Sequence, residues 1–513
     1  MRSITRFGAL AVLCLSFTFV WAQSEAKDQP ALTIYNEQFA VVRNFLPLDL
    51  KSGTNHVEVT DITRHLEPDS VILRPLDDKQ KLQILEQNYR NDPVSQELLL
   101  SLFEGKTIDF QQTLQDGTKK IVAGKIIRSG YTPHTSAYPA YGQQYYYQQQ
   151  AMVSGGGGQP VIEVDGKLQF SLPGQPLFPA LADDTVLKPT LSWELATDKP
   201  GPTRAEFSYV TGGMTWQADY NVVAPPKGDS LELVGWVTLD NQSGKTFSNA
   251  RVKLMAGDVN KIQPPMNGVG AGIAGGSFAR LETFSGTPPV TERNFDEYHL
   301  YTLQRPTTLH DRETKQVEFV RANGIESKSV YVYDGVKIDW NRYNGWQMEN
   351  IRGDSGFGTL WNPKVWVMRE FKNSKANNLG MPLPKGRVRF YRRDDDGQLE
   401  FTGENTIDHT PENEMLRLYT GSAFDLVGER HRTDFHIDNS RDTLDESFEI
   451  QLRNHKKEPV QVQIVEHLYR WSTWQIQLAS DDFTKKDSQT IEFTVQVPAE
   501  GEKTVKYLAH YSW

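Results

Sequence analysis

The C-terminal stretch Ile491–Trp513, IEFTVQVPAEGEKTVKYLAHYSW, shows the pattern that decides the fold of this chain. Apolar residues occupy every second position from Ile491 to Val497, and the residues between them are polar. Pro498 to Lys503 interrupts the pattern, which resumes from Val505 to Trp513. Because successive side chains of a strand point to opposite faces, this alternation predicts two strands, each with one face on a core and one in water.

The same alternation occurs upstream, at Phe448–Leu452 and again at Val460–Ile464. Between these stretches lies Asn454–Pro459, whose asparagine and proline favour turn conformations. The pattern predicts a β-hairpin over residues 448–464.

A similar unit, in which a strand runs into an asparagine-led polar turn and back into a strand, occurs at two other places. It is found at Val237–Val252 around Asn241 and at Val365–Phe390 around Asn373. We interpret this as a weak internal repeat. Repeated units at this spacing favour several immunoglobulin-like β-sandwiches over one continuous barrel.

Helical patterns are scarce in this sequence. The best candidate is Pro93–Glu104, where Leu98, Leu99, Leu102 and Phe103 form an apolar stripe. The predicted fold is therefore all-β, with multiple antiparallel β-sandwich modules and a short helix in the N-terminal region. The predicted divisions are a signal peptide at 1–22, an N-terminal β segment with one short helix at 23–130, a flexible Tyr/Gln/Gly-rich loop at 131–160, a β-sandwich region with Gly-rich (263–277) and Trp-rich insertions at 161–378, and a C-terminal immunoglobulin-like β-sandwich at 379–513.

The N-terminus has the features of a secretory signal peptide. Arg2 and Arg6 precede an apolar run from Phe7 to Val20, and Ala22 suits the cleavage site. The run of about 14 residues is shorter than the roughly 20 that span a bilayer. We therefore expect an exported protein, periplasmic or extracellular, with no transmembrane segment after cleavage. Cleavage would also remove Cys14, the single cysteine, which excludes disulfides and cysteine metal sites from the mature protein.

The net charge of the chain bears on its partners, and its length bears on the number of domains. The formal net charge is −10, and it becomes −12 when Arg2 and Arg6 are removed with the signal peptide. Nucleic-acid binding needs a basic field, so a nucleic-acid partner is not expected. About 490 mature residues exceed what one hydrophobic core serves, which favours two to four domains.

Several phrases along the chain resemble bacterial exported proteins of the domain of unknown function 4139 family, distant relatives of mucoidy inhibitor A. The resemblance implies an exported, largely β protein and brings no established reaction, cofactor or catalytic residue. The phrases are Leu32–Asn36, Leu85–Tyr89, Phe207–Tyr209 through Trp216 to Tyr220, Ala256–Asn260, Tyr298–Leu309, Gly380–Pro384, Ile407–Pro411 and Ala423–Asp425.

An acidic and histidine-containing segment is one candidate site. Glu404, Asp408, His409 and Asp425 supply oxygen and nitrogen atoms that suit a metal ion or acid/base chemistry. The short-spaced histidine pairs typical of zinc sites are missing, and a structural role, with Asp408 capping a turn, is favoured. No catalytic, cofactor-binding or metal-binding residue is assigned, and these four remain metal candidates only.

A tryptophan-rich segment is the second candidate. Trp340, Trp346 and Trp361 crowd a region that is also rich in asparagine, at Asn341, Asn344 and Asn350. Aromatic rings stack on the apolar faces of sugars and amides bind hydroxyls, although such rings also fill sandwich cores. We predict an exported cell-envelope protein without a cofactor, a non-enzymatic binding or scaffolding protein whose partner is an envelope protein or a glycan. The alternative is a metal-dependent or acid/base hydrolase acting on an envelope substrate.

Overall fold

The computed structural model of the protein describes residues 29–76, 81–91, 94–114, 116–131, 159–179, 181, 187–257, 259, 261, 290–440 and 442–513. The predicted signal peptide, most of the predicted loop at 131–160 and the glycine-rich stretch at 263–277 lie outside these residues. Strands make up 63% and helices 5% of the structure, which confirms the all-β prediction. Of the described helices, none combines the length and the apolar character needed to cross a bilayer.

Short helices interrupt the strands at two places in the described chain, α1 (Gln96–Leu102) and α2 (Met348–Gly353). Single 3-10 turns lie at Pro68–Ser70 and Lys375–Asn377. The strands are β1 (Ala31–Tyr35), β2 (Phe39–Leu50), β3 (Gly53–Val59), β4 (Ile72–Pro75), β5 (Leu82–Arg90), β6 (Thr107–Thr113), β7 (Lys119–Arg128), β8 (Val161–Val164), β9 (Lys167–Gln169), β10 (Gln175–Leu177), β11 (Thr190–Thr197), β12 (Gly201–Gly212), β13 (Met214–Ala224), β14 (Ser230–Asn241), β15 (Phe247–Ala256), β16 (Val290–Phe295), β17 (Tyr298–Leu303), β18 (Thr307–Leu309), β19 (Glu313–Asp334), β20 (Val336–Lys337), β21 (Leu360–Trp361), β22 (Lys364–Lys372), β23 (Gly386–Arg393), β24 (Leu399–Ile407), β25 (Met415–Asp438), β26 (Thr443–Asn454), β27 (Val460–His467), β28 (Trp474–Ala479), β29 (Phe483–Lys485), β30 (Thr490–Val497) and β31 (Gly501–Ser512).

The chain divides into two compact units that interleave along the sequence. The described residues of unit 1 fall within Met1–Trp216, Leu239–Thr287 and Thr302–Lys315. Those of unit 2 fall within Gln217–Thr238, Pro288–Tyr301 and Gln316–Trp513. The linear division expected from the sequence, with boundaries near residues 130, 160 and 378, remains a prediction.

Unit 1 contains three groups of paired strands. The strands β15, β1, β2, β12 and β4 pair in that order, with β1 parallel to β15 and the other ladders antiparallel. The order of a second sheet is β10-β6-β7-β8-β9, and that of a third is β3-β11-β5. In β11 every second residue is buried, including Trp193. This is the alternation that a strand with one covered face requires.

The helix α1 lies within the predicted Pro93–Glu104 and packs in a small core with Phe110. Its N-cap is Ser95, whose Oγ accepts a hydrogen bond from the backbone N–H of Leu98 at 3.1 Å. The buried residues are Leu100 and Phe103. The predicted stripe omitted Leu100, and its members Leu98, Leu99 and Leu102 are only partly buried; Pro93 lies outside the described residues.

Unit 2 is built around a long strand ladder and a β-sandwich. The ladder order is β24-β23-β13-β14-β19-β22-β25-β26-β31-β28. A facing layer of β27, β30 and β29 joins this ladder where β27 pairs with β19 in parallel. The core between the layers packs Phe448 and Ile450 of β26 against Ile464 of β27 and Phe493 of β30.

The predicted hairpin at residues 448–464 is wrong. The strand β26 pairs with β25 and β31, whereas β27 pairs with β19 and β30. The chain therefore crosses from one layer of the sandwich to the other between Asn454 and Val460. The strands around Asn241 and Asn373 likewise pair with other strands and not with each other. Alternation shows which face of a strand is buried, but it does not show which strand is its neighbour.

The asparagine-led turn is nevertheless a repeated unit, as predicted. Asn241, Asn373 and Asn454 are at most 1% exposed. Each donates its side-chain amide to carbonyls within its own turn and just before a later strand, which satisfies backbone groups that these turns would otherwise leave unpaired. The accepting carbonyls are Lys245 (2.9 Å) and His310 (3.0 Å) for Asn241, Met381 (3.0 Å) and Pro411 (2.9 Å) for Asn373, and Glu458 (2.9 Å) and Pro498 (2.8 Å) for Asn454.

Candidate functional site

A long connection in unit 2 carries the tryptophan-rich segment. Strands β19 and β22 pair antiparallel, with Val332 opposite Trp366, and residues 335–363 link them. We call these residues the aromatic insertion. The short strands β20 and β21 pair at its base, where Val336 lies opposite Trp361. This pairing closes the base of the aromatic insertion. The helix α2 lies between the two short strands along the chain.

The aromatic insertion has a small core of its own. Tyr343, Ile351 and Phe357 are all less than 9% exposed and pack together. The Tyr343 ring meets the Phe357 ring at 5.1 Å in an edge-to-face arrangement. The Trp346 ring in turn meets Tyr343 at 5.2 Å with an interplanar angle of 83°. Because edge-to-face ring pairs are stabilising, the contact with Tyr343, which itself packs on Phe357, favours this orientation of Trp346.

Arg470, just after β27, holds the backbone of the aromatic insertion. Its Nη1 donates to the carbonyls of Ile351, Arg352 and Asp354 at 2.9 to 3.0 Å. Its Nη2 donates to the carbonyl of Phe357 at 2.9 Å. The last carbonyls of a helix lack partners within the helix, so the guanidinium supplies hydrogen bonds that α2 cannot make for itself. The positive charge also favours the C-terminal end of the helix dipole.

Glu446 on β26 anchors Arg470 in turn. The Glu446 carboxylate accepts from Arg470 Nε at 2.9 Å and from Nη2 at 2.7 Å. Both side chains are only 2 to 3% exposed. Arg432 donates to the same carboxylate at 3.2 Å and to the carbonyl of Ser355 in the aromatic insertion. A bidentate pair of this kind fixes geometry as well as neutralising charge.

A second buried ion pair, Arg430 with Glu466, also holds the backbone of the aromatic insertion. Arg430 Nε lies 2.9 and 3.0 Å from the two oxygens of Glu466, and its Nη1 donates to the carbonyl of Gly358 at 2.7 Å. Tyr507 donates its hydroxyl to Glu466. Burial disfavours the charged guanidinium, but the neighbouring Glu466 carboxylate outweighs this, and the pKa of Arg430 is raised above its ordinary value. We call Arg430, Arg432, Arg470, Glu446 and Glu466 the arginine frame.

A cavity of about 20 Å³ lies beside the arginine frame, next to Arg430, Glu446, His467 and Arg470. This is the size of a single water molecule, too small for an organic substrate. His467 Nε2 lies 3.2 Å from Asp334 Oδ2. Burial lowers the pKa of the His467 imidazole, but the hydrogen bond and charge of Asp334 outweigh burial, so the pKa is raised above its ordinary value.

The surface of the aromatic insertion contains a larger groove, of about 580 Å³, lined by Trp346, Asn350, Asp354 and Ser355 together with Gly345 and Gly353. Ligand sites in proteins commonly have volumes of roughly 300 to 1,000 Å³. Trp346 is 41% exposed. The Asp354 side chain is 13% exposed, and its Oδ2 lies 3.8 Å from Arg342. The groove thus combines one exposed ring with amide, hydroxyl and carboxylate groups.

The three tryptophans that the sequence pointed to have different positions. Of these described residues, only Trp346 lines the groove. Trp340 is 61% exposed in the turn before it. Trp361 is half-buried in β21, with its ring 5.5 Å from the ring of His431. The crowding of tryptophans in the sequence therefore marked one groove residue and two neighbours.

Three of the four acidic and histidine candidates contact Arg389 or Lys385. Glu404 on β24 lies 3.9 Å from Arg389, and Asp408 lies 3.5 Å from Lys385. The backbone N–H of Lys385 donates to Nδ1 of His409 at 3.2 Å, and Asp425 is exposed on β25. Within the described residues, no group of three histidine, cysteine, aspartate or glutamate side chains is arranged to hold a metal ion.

The arginine frame was missed by sequence reasoning, although a signal for part of it exists. In β26 Glu446 falls in the same alternation phase as the buried Leu444 and Phe448. In β27 Glu466 follows the buried Val462 and Ile464 in phase. A charged residue at an inward position needs a buried partner of opposite charge. The sequence does not say which arginine supplies it.

Fold and site together define an all-β protein in which a β-sandwich carries an aromatic insertion that buried arginines hold in place. The chain belongs to the family described as Domain of unknown function (DUF4139), whose sequence profile matches residues 205–513. This range includes the aromatic insertion and the arginine frame, and it confirms the resemblance stated from the sequence. A comparison with curated proteins found no match.

Proposed function

We propose that this chain is an exported, non-enzymatic binding protein of the cell envelope whose ligand occupies the groove beside Trp346. The signal-peptide pattern of residues 1–22 supports export. The groove supports binding because it brings an exposed ring and several polar groups together on one face of the aromatic insertion.

The observation that carries this proposal is the packing of Trp346 on a supported aromatic core. The path of contacts runs from Arg470 through Phe357, whose ring centroid is 5.4 Å from the guanidinium, to Tyr343 and then to Trp346. A side chain that is already ordered loses less conformational entropy when a ligand binds. A long connection held by buried charged groups is therefore better suited to recognition than a loop that orders only on binding.

The hydrolase alternative receives less support. Acid/base catalysis needs groups that converge on the bond to be broken. Glu404 and Asp408 instead lie beside separate basic residues, Arg389 and Lys385. We therefore place binding ahead of hydrolysis.

Cosedimentation tests the binding proposal. The purified mature protein is mixed with insoluble envelope material of the source cells, and the bound fraction is compared with that of Trp346→Ala. Phe424→Ala is the matched control because Phe424 is an aromatic residue of β25 that is 96% exposed and lies outside the aromatic insertion. We expect Trp346→Ala to lose binding and Phe424→Ala to retain it. Unchanged binding by Trp346→Ala would refute the groove as the site.

Export has a test of its own. Mass spectrometry of the protein isolated from fractionated source cells should show an N-terminus at Gln23, outside the cytoplasm. A full-length chain that begins at Met1 and remains in the cytoplasm would overturn the export proposal while leaving the groove untouched.

A further inference from the structure

We propose that the ligand of the Trp346 groove is a neutral saccharide. This inference rests on the proposed function, because it assumes that the groove is the binding site. It adds the chemical class of the ligand, which three features of the groove define: the exposed ring, the hydrogen-bonding groups and the charge.

The ring is the first feature. Trp346 is 41% exposed, and Tyr343 holds it edge-to-face from one side. Its exposed part offers a flat apolar surface at a fixed orientation. The faces of a pyranose ring that carry C–H groups are flat and apolar too, so they can stack on this surface while the hydroxyls remain at the periphery.

The hydrogen-bonding groups are the second feature. Asn350 on α2 and Ser355 are both exposed and line the groove. An amide offers two donors and an acceptor oxygen, and a hydroxyl offers one donor and an acceptor. A sugar hydroxyl is likewise both donor and acceptor, so this mixed set suits a polyol better than a purely apolar or purely anionic ligand.

The charge is the third feature. Asp354 supplies the only charged side chain among the described groove-lining residues. The Arg342 guanidinium lies 3.8 Å from its Oδ2, so the two opposite charges offset each other and leave little net charge to attract an anionic or a cationic ligand. The neighbouring Arg352 does not line the groove, since its guanidinium lies 4.1 Å from the centroid of the Trp513 ring. A neutral ligand is the class that this arrangement favours.

Calorimetric titration of the mature protein with four oligosaccharides tests the inference. The probes are maltotriose and triacetylchitotriose, which are neutral, trigalacturonate, which is anionic, and chitotriose, which is cationic. We expect at least one neutral trimer to bind about tenfold more tightly than either charged trimer, a difference of roughly 1.4 kcal/mol. Equal or tighter binding of trigalacturonate or chitotriose would overturn the inference.

Variants identify the site of binding. We expect Trp346→Ala and Asn350→Ala each to weaken neutral-trimer binding by about tenfold or more. Trp340→Ala is the matched control, since Trp340 is an exposed tryptophan of the aromatic insertion outside the groove. Asp354→Asn keeps an oxygen for the turn to Gly356 but removes the charge, so it should reduce the discrimination against trigalacturonate. Neutral-trimer binding that none of the groove variants weakens would contradict the inference.

Failure of this inference can be distinguished from failure of the proposed function. If no trimer binds but cosedimentation with envelope material still depends on Trp346, the ligand is not a saccharide and this inference is wrong. If cosedimentation does not depend on Trp346, the proposed function itself is wrong.

Discussion

The aromatic insertion is rich in tryptophan, and the acidic segment Glu404–His409 is rich in carboxylates, yet the two segments are held by different contacts. In the aromatic insertion, buried guanidinium groups from distant parts of the sequence hold the backbone, with Arg470 at 2% exposure. In the acidic segment, Asp408 is 92% exposed and its partner Lys385 is 64% exposed. A cluster of one residue type in the sequence therefore identifies a candidate site. Buried side chains that hold its backbone distinguish a structured site from a solvated surface segment.

The largest expected effect is on stability, at Arg470. Arg470→Met leaves Glu446 without its bidentate partner and removes the guanidinium donor from four carbonyls, of which those of Ile351 and Asp354 keep a backbone N–H donor. Removing one partner of a buried ion pair costs about 3 to 5 kcal/mol. The control Lys385→Met removes a surface ion pair and should change the free energy of unfolding by about 0 to 1 kcal/mol. Urea unfolding measures both, and equal losses would abolish the contrast between the two regions.

The second-largest expected effect is on the free energy of unfolding, at the buried Asn454. Its side-chain amide donates to backbone carbonyls, as the guanidinium of Arg470 does. Asn454→Ala leaves the carbonyls of Glu458 and Pro498 without the amide donor. Each unsatisfied buried group costs about 1 to 3 kcal/mol. Asn344→Ala, at an exposed position of the aromatic insertion, is the control and should unfold at the same urea concentration as the unmodified protein. A similar midpoint for both variants would show that the buried amide is dispensable.

A smaller, pH-dependent effect is expected at His467, which lies next to the arginine frame. Burial lowers the pKa of the imidazole, but the hydrogen bond and charge of Asp334, with the charges of Glu466 and Asp487, outweigh it and raise the pKa in the folded protein. The protonated pair with Asp334 therefore stabilises the fold fully below the unfolded-state pKa, and this contribution is lost as pH rises through the folded-state pKa. The free energy of unfolding, measured against pH for the protein and for His467→Gln, should converge at alkaline pH. Asp334→Asn should weaken the dependence, and an unchanged profile would contradict the assignment.

The smallest effect is expected in the acidic segment. Asp408→Asn removes a carboxylate that is 92% exposed, so the melting temperature and envelope cosedimentation should both stay unchanged. Loss of envelope binding by Asp408→Asn would move the candidate site from the aromatic insertion to this segment.

The sequence predicted strands better than their partners. Alternation located β26, β27, β30 and β31, because a covered face imposes a period of two on a strand. Pairing was misjudged at Asn454, where the turn residues suggested a hairpin and the structure shows a crossing between layers. One of the two partners of β27 is β19, which lies more than a hundred residues earlier in the chain. No local sequence pattern encodes such a ladder.

The candidate site was predictable in part for the same reason. Trp346 stood out because tryptophan is rare and clustered there. Arg470 did not, because its role depends on carbonyls more than a hundred residues away and on Glu446 in another strand. The inward phases of Glu446 and Glu466 were the local signs of a buried charge.

Fluorine NMR of the mature protein labelled with 5-fluorotryptophan tests the central claim most directly. The Trp346 resonance is assigned with Trp346→Phe, and the neutral trimer, maltotriose or triacetylchitotriose, that binds more tightly in calorimetry is then titrated in. We predict that the Trp346 resonance shifts with saturation while the Trp361 resonance, from the base of the aromatic insertion, does not. A saturable shift of other tryptophans with Trp346 unchanged would contradict the assignment of the ligand site to this groove.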